Sequence, residues 1–406
     1  MRKSARTLAA GMLGVLIIGA FSAAPALAAS CRNTESFAAW LGKFKRDALA
    51  QGISQRVLSD AAPELVYDPS VIRRDRGQAI FQETFLTFSD KLLGGYRIPN
   101  GKKQIEKHAR LFARIEQRFG VPAPVLTAFW GLESDYGGNF GKFKILPALT
   151  TLAYDCRRGD YFRPELVDAL RIVQRGDQRI SEMIGSWAGE FGGMQFTASR
   201  YIKYGVDFDG DGRIDIIHST ADTLASAANY IKDMGWKRGE PWLQEVTVPQ
   251  HMPWREADLD IQHPVSQWEK WGVRAAHGRL PHQDLPASLI LPMGRKGPAF
   301  LAYPNFKVFL GWNSSFVYST TVAYFATRLA GAPPVSHAGA KSISSLSIDQ
   351  MKELQTLLNR DGFDAGKVDG KLGNGTREAV KKAQLKYGMP ADSWPTAELL
   401  SKLRGS

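Results

Sequence analysis

A stretch from Gly331 to Ser345, dominated by Gly, Ala, Pro and Ser, divides this 406-residue chain into two unequal parts. That composition offers little apolar surface to bury and reads as a flexible linker. One core therefore does not run through the whole chain. The sequence predicts a leader over 1–28, a large domain over 29–330, a linker over 331–345 and a small module over 346–406.

The large domain reads as mainly helical. Phe37, Trp40, Leu41 and Phe44 keep the i, i+3, i+4, i+7 spacing of one helix face. Ile105, Leu111, Phe112, Ile115 and Phe119 repeat it until Gly120, and Pro122 opens a further helix striped by Val125, Phe129 and Leu132. Residues 241–312 are richer in Pro and Trp, with short β-prone pieces at Gln244–Val248 and Lys307–Leu310. After the break, Ile348, Met351, Leu354, Leu357 and Leu358 predict one amphipathic helix, and Ala379, Val380, Ala383 and Leu385 another. The expected class is mainly α (α+β): a large helical domain with minor β elements and a small three-helix module.

Arg2, Lys3 and Arg6 precede an apolar run from Leu8 to Phe21, and Ala26-Leu27-Ala28 supplies a small-x-small cleavage pattern. This predicts a secretory signal and a periplasmic or otherwise exported protein. The apolar run falls short of the roughly 20 residues that span a bilayer. A lipoprotein alternative would modify Cys31, but Leu27 stands one position too early for it. With no later apolar span, no transmembrane segment is expected once the signal is removed. A formal net charge of +12 points to polyanions. Export disfavours nucleic acid and favours the carboxylate-bearing cell wall. Cys31 and Cys156 are the two cysteines, and an oxidising compartment predicts one disulfide between them.

Glu133 is the residue on which chemistry would turn. At 100° per residue it falls beside Val125, between Leu126 and Phe129, on an apolar stripe. Burial disfavours the charged carboxylate and raises its pKa, as a general acid working near neutrality requires. Gly137 and Gly138 are expected to end the helix one turn later and open the carboxyl onto a cleft. A structural glutamate bonded near a helix end is the other reading of the same pattern.

The surroundings of Glu133 carry a resemblance. Trp130-Gly-Leu-Glu133-Ser-Asp-Tyr-Gly-Gly, then Lys144-Ile-Leu-Pro-Ala-Leu-Thr-Thr-Leu-Ala-Tyr154, then Gly185-Ser-Trp-Ala-Gly-Glu-Phe-Gly-Gly-Met-Gln195-Phe stand in order. Asp207-Phe-Asp-Gly-Asp-Gly, Ala227-Ala-Asn-Tyr230, Tyr303-Pro-Asn-Phe, Trp312-Asn313 and Tyr318 follow. Together they resemble the lytic murein transglycosylase B family, glycoside hydrolase family 103. The resemblance implies a lysozyme-like fold acting on peptidoglycan glycan strands as a monomer, without a cofactor for the chemistry. Glu133 would protonate the bond between N-acetylmuramic acid and N-acetylglucosamine. It would then act as base while the muramoyl C6 hydroxyl closes a 1,6-anhydro ring.

By the same resemblance Ser186, Gln195, Tyr230, Asn313 and Tyr318 would bind substrate. Each tyrosine is also readable as a half-buried core aromatic, and Ser186 as a local backbone cap. Asp207, Asp209 and Asp211, with Gly212 behind them, reproduce positions 1, 3, 5 and 6 of an EF-hand loop. Arg213 would add its carbonyl to a structural Ca2+, and the resemblance suggests that Asp222 reaches back in place of the missing Glu, because His218 stands at position 12. A cation-free Asp-Gly turn is the alternative.

The C-terminal segments Leu354-Gln-Thr-Leu-Leu-Asn, Gly362-Phe, Val368-Asp-Gly-Lys-Leu-Gly and Thr376-Arg-Glu-Ala-Val-Lys-Lys-Ala-Gln resemble the peptidoglycan-binding domain type 1. A helical appendage without a ligand competes with that reading. For the whole chain, two other functions stand beside the transglycosylase: a hydrolytic muramidase and a non-catalytic wall-binding protein. A retaining hydrolase needs a second carboxylate about 5.5 Å from the first. Asp135, two residues on, points about 200° away around the helix and makes a poor partner.

Overall fold

A computed structural model describes residues 31, 33–77, 83–337, 343 and 345–405. The expected signal at 1–28 lies outside the described residues, as do 338–342 and 344 of the expected linker.

The helical body follows the apolar periodicity. Ser36 caps the Phe37–Ala50 helix by accepting from the Ala39 amide, and Trp40 and Phe44 go into the core. The stripe from Ile105 to Phe119 is split at His108 into helices Arg97–Lys107 and Ala109–Phe119, and Gly120 ends the second in the left-handed conformation, φ 81°. Pro122, fixed near φ −77°, then starts the Ala123–Ser134 helix. Every side chain from Val125 to Trp130 is buried, so this helix is apolar all round and sits centrally. It packs on Phe316–Leu329, while Ile145–Tyr154 packs on Gly159–Arg175.

Among the described residues, seven short strands complete the fold: β1 Phe143–Lys144, β2 Ile184–Gly185, β3 Leu243–Thr247, β4 His263–Pro264, β5 Arg274–Ala275, β6 Pro286–Ile290 and β7 Ala299–Ala302. β1 and β2 form an antiparallel ribbon, and the other five form a sheet in the order β4-β6-β7-β3-β5. That sheet builds its own apolar core around Trp268, Val265, Leu289, Leu301 and Tyr303. β3 answers the expectation at Gln244–Val248. The expectation of β structure at Lys307–Leu310 fails, because these residues lie inside the Phe306–Trp312 helix. There Phe306, Val308, Phe309 and Trp312 meet the core on one helical face, and that packing overrides local β propensity.

Beyond the described gap, Ile348–Arg360, Asn374–Lys386 and Ala397–Arg404 form the three-helix module around Leu354, Leu358, Val380 and Leu399. The linker composition predicts few contacts between module and body, and the structure differs. Arg377 and Lys381, one turn apart on one helix, reach into the sheet region. The Arg377 guanidinium donates to the Pro292 carbonyl at 2.9 Å, and Lys381 Nζ reaches the Ala257 carbonyl at 3.2 Å and the Asp258 carboxylate at 2.5 Å. Trp394 joins the core of the large domain beside Gly294, whose φ of 72° and missing Cβ admit the indole. Linker composition reports the freedom of the linker alone; the docking face is made of residues far from it in sequence.

Candidate active site

The carboxyl of Glu133 stands at the end of the central helix. The helix stops sooner than the glycines suggest: Asp135 and Tyr136 are both left-handed, at φ 52° and 61°, ahead of Gly137. Two successive non-glycine residues in that region hold strain, which surrounding contacts must maintain. The Tyr136 hydroxyl donates to the Arg97 carbonyl at 2.6 Å, and its ring fills the space beside Gly131. Asp135 accepts from the Tyr96 hydroxyl at 2.6 Å and lies 3.6 Å from Arg97. Its carboxylate is thus engaged on the Tyr96–Arg97 side. Ser134 ties the helix end to the glycine-rich loop by donating to the Gly193 carbonyl at 2.6 Å.

Two donors converge on one oxygen of Glu133. Trp312 Nε1–H donates to Oε1 at 2.8 Å and Tyr318 Oη–H donates to the same atom at 2.5 Å. Trp312 is held from behind by Phe129, with ring centroids 4.4 Å apart, and by Tyr230 at 5.4 Å. Glu133 keeps part of its surface open, yet the protein mass around its carboxyl dominates. Desolvation pushes its pKa up to about 7 against the opposing hydrogen bonds, and the nearby Glu190 adds to the rise. Burial and the Glu133 carboxylate hold the Tyr318 phenol well above its ordinary value, so it remains a donor.

The other residues singled out by sequence fall around this centre in different ways. Gln195 has φ 47° and donates to the Phe140 and Gly192 carbonyls at 3.3 and 3.1 Å. Tyr230 is buried against Phe196, Tyr204 and Trp312, with the Arg200 guanidinium over its ring at 5.1 Å. Asn313 is exposed at the end of the Phe306–Trp312 helix and accepts from the Ser315 amide at 2.9 Å. Ser186 takes the backbone-capping geometry: its hydroxyl accepts from the Ala188 and Glu190 amides and donates to Glu190 Oε2 at 3.2 Å. Sequence reasoning did not single out Trp312 as a donor to Glu133, nor Glu190 as a second carboxyl acting on it. The Glu at the centre of a glycine-rich motif was the available signal for Glu190.

In the acidic loop, oxygens of Asp207, Asp209 and Asp211 lie within 4.8 Å of one another. Asp222, expected as a fifth ligand, is tied to the loop backbone. Its buried carboxylate accepts from the Phe208 and Asp209 amides through Oδ1 and from the Asp215 amide through Oδ2. It braces the loop from within, because the Phe208 and Asp215 amides would otherwise be buried without partners. Arg213 turns its side chain to Asp211 and Asp215, and His218 Nδ1 sits 3.1 Å from Asp215. Away from the cleft, Cys31 and Cys156 are joined in a disulfide.

A desolvated carboxyl held by two donors at a strained helix end, inside a lysozyme-like helical body, is the setting that acid-catalysed cleavage of a glycan requires. Comparison with known proteins gives the family. The model described as "Transglycosylase SLT domain" matches residues 36–327, and the one described as "Putative peptidoglycan binding domain" matches 347–403. Membrane-bound lytic murein transglycosylase B of Escherichia coli (strain K12) is 29% identical over 285 residues, 69% of this chain and 76% of that protein. The crystal structure of SltB3 from Pseudomonas aeruginosa in complex with NAG-anhNAM-pentapeptide superposes with a TM-score of 0.85 at 39% identity, covering 91% of this chain and all of that one. The Escherichia coli lytic transglycosylase Slt35 in complex with calcium gives 0.61 at 26% identity over 71% of this chain and 92% of that one. The chain belongs to the SLT-domain lytic transglycosylase family.

Proposed function

We propose that Glu133 is the acid and then the base of glycan cleavage by this lytic transglycosylase. The family's reaction cuts peptidoglycan between N-acetylmuramic acid and N-acetylglucosamine and leaves a 1,6-anhydro end without consuming water. The observation that carries the assignment is the shared acceptor: Trp312 and Tyr318 both donate to Oε1. With Oε1 saturated by donors, the proton of the neutral acid resides on Oε2, the oxygen left for the glycosidic bond. After that proton is given up, the same two donors stabilise the carboxylate that takes the C6 proton. Gln195, with its strained backbone, and the exposed Asn313 are the proposed contacts to the sugar N-acetyl and hydroxyl groups. Tyr318 orients Glu133, and Tyr230 stiffens Trp312. Glu133→Gln keeps the shape and removes the proton, so a folded, inactive variant is the expected result.

The wider reading follows from the same family. An exported chain working in the periplasm suits the leader sequence and the Cys31–Cys156 bond; a sulfur held in a disulfide has no thiol left for lipidation. The chain is proposed to act as a monomer. The C-terminal module binds the cell wall. Asp207, Asp209 and Asp211 suit a hard cation, since three carboxylates converge within a span of 4.8 Å. Ca2+ held there, with the Arg213 carbonyl, would brace the 207–222 segment and take no part in the chemistry.

A further inference from the structure

Glu190 is a second, partly buried carboxyl, near enough to Glu133 to act on it electrostatically, that the reaction as described leaves unused. It closes the tight turn Ser186–Glu190. The Ser186 amide donates to the Glu190 carbonyl at 2.8 Å, the Glu190 amide donates to Ser186 Oγ at 3.2 Å, and the Ser186 hydroxyl donates to Glu190 Oε2. The turn is crowded at its root, where a Cβ at Gly185 would strike the Glu190 carbonyl oxygen. It is also anchored to the catalytic helix. Phe191 bridges Phe196, and two residues after Phe191 the Gly193 carbonyl accepts the hydroxyl of Ser134, the neighbour of Glu133. The turn therefore cannot drift relative to Glu133.

We propose that Glu190 is a positioning residue of the cleavage reaction: it locks the Ser186–Glu190 turn over the end of the Glu133 helix and sets a second negative charge beside the acid. The proposal rests on Glu133 as the acid. Its chemistry has two parts. Ser186 is committed to the turn, so its hydroxyl shapes the cleft without donating to the sugar. The carboxylate of Glu190 opposes ionisation of Glu133 and keeps the proton in place until the glycosidic oxygen arrives.

Other charges bear on this pair. Arg200 acts on both carboxyls and favours their ionised forms. Glu165, Arg158 and Tyr161 face Glu190 from the Gly159–Arg175 helix and the residue before it, and Tyr318 faces both glutamates from the Phe316–Leu329 helix. Burial raises the pKa of Glu190 as well, so the two groups titrate as a coupled pair and not independently.

The test is the pH profile of kcat/KM for the full-length protein on a soluble glycan, in wild type, Glu190→Gln and Glu190→Asp. Glutamine keeps an acceptor for Ser186 and removes the charge. Its alkaline limb should move down by about half a unit, about threefold in rate at pH 8, through kcat with KM nearly unchanged. Aspartate retains the charge, and its limb should stay near the wild-type position. A Glu190→Gln limb coincident with wild type overturns the proposal and makes Glu190 a turn residue only. Should the glutamine variant not fold, a carboxyl 13C titration of the unmodified protein decides. Two interacting steps at Glu133 support the proposal, and one simple step overturns it. Failure of the Glu133 assignment is separately visible, as activity surviving in Glu133→Gln.

Discussion

Tyr318 Oη donates to Glu133 Oε1 at 2.5 Å, across 185 residues of chain. This contact and the Trp312 contact to the same oxygen decide which carboxyl oxygen carries the proton. Tyr318→Phe removes one of the two donors without changing the ring. We expect kcat to fall about tenfold to a hundredfold, the usual worth of a charge-assisted hydrogen bond of about 1.5–3 kcal/mol. KM should change little, because the tyrosine acts on the acid. Steady-state kinetics on soluble glycans checks this, and a large rise in KM at constant kcat would return Tyr318 to the substrate-binding role that the family resemblance implies.

Desolvation of Glu133 should also show in stability. Its carboxyl titrates at about 7 in the folded protein, above the ordinary carboxyl value it regains on unfolding. The stability tied to the protonated form is fully present below the unfolded value and is lost as pH rises through about 7. Glu133→Gln carries no such dependence. Near pH 8 it should therefore be more stable than wild type by about 1–3 kcal/mol, with the difference vanishing near pH 4. Thermal melts across that range read the effect directly. A wild type as stable as the variant at pH 8 would mean the carboxyl is better solvated than its surroundings suggest.

The central helix was legible in sequence because local rules settle it: Pro122 before it and an apolar stripe along it; its end was not, because Asp135 and Tyr136 take the left-handed stop expected of Gly137 and Gly138. The position of Glu133 followed from that helix. The rest of the site did not, because it depends on partners distant in sequence. The resemblance gave Tyr318 a substrate-binding role and Trp312 none, and only the Phe306–Trp312 and Phe316–Leu329 helices bring them 179 and 185 residues back to Glu133 as its donors. Asp222 shows the same limit from the other side, since spacing alone does not reveal that its carboxylate accepts the Phe208, Asp209 and Asp215 amides. Lys307–Leu310 misled because a β-prone composition also suits the buried face of a short helix.

The docking of the C-terminal module changes what truncation should do. Linker composition alone predicts a tethered anchor whose loss leaves the catalytic domain unaffected. Lys381, mostly buried and bonded to Asp258, predicts otherwise. Lys381→Met should cost about 1–3 kcal/mol by leaving the Asp258 carboxylate and the Ala257 carbonyl unpaired. Ending the chain near Ala330 should lower the melting temperature and reduce binding to intact sacculi. Equal melting temperatures for full-length and shortened protein would mean that the interface contributes no stability.

Calcium, held by Asp207, Asp209 and Asp211, should raise the melting temperature by mass action, since the site forms only in the folded chain. Excess chelator should lower it and leave the pH profile unmoved. An identical melting curve with and without chelator would identify the segment as a plain turn, braced by Asp222 alone.

The most direct test of the central claim is mass spectrometry of the muropeptides released from sacculi by wild type and by Glu133→Gln. A carboxyl that serves as acid and then base, with no water consumed, leaves anhydro ends about 18 Da lighter than the hydrated ends of a glycoside hydrolase. We predict anhydro ends alone from wild type and no release by Glu133→Gln. Hydrated ends from wild type, or continued release by Glu133→Gln, would contradict the assignment.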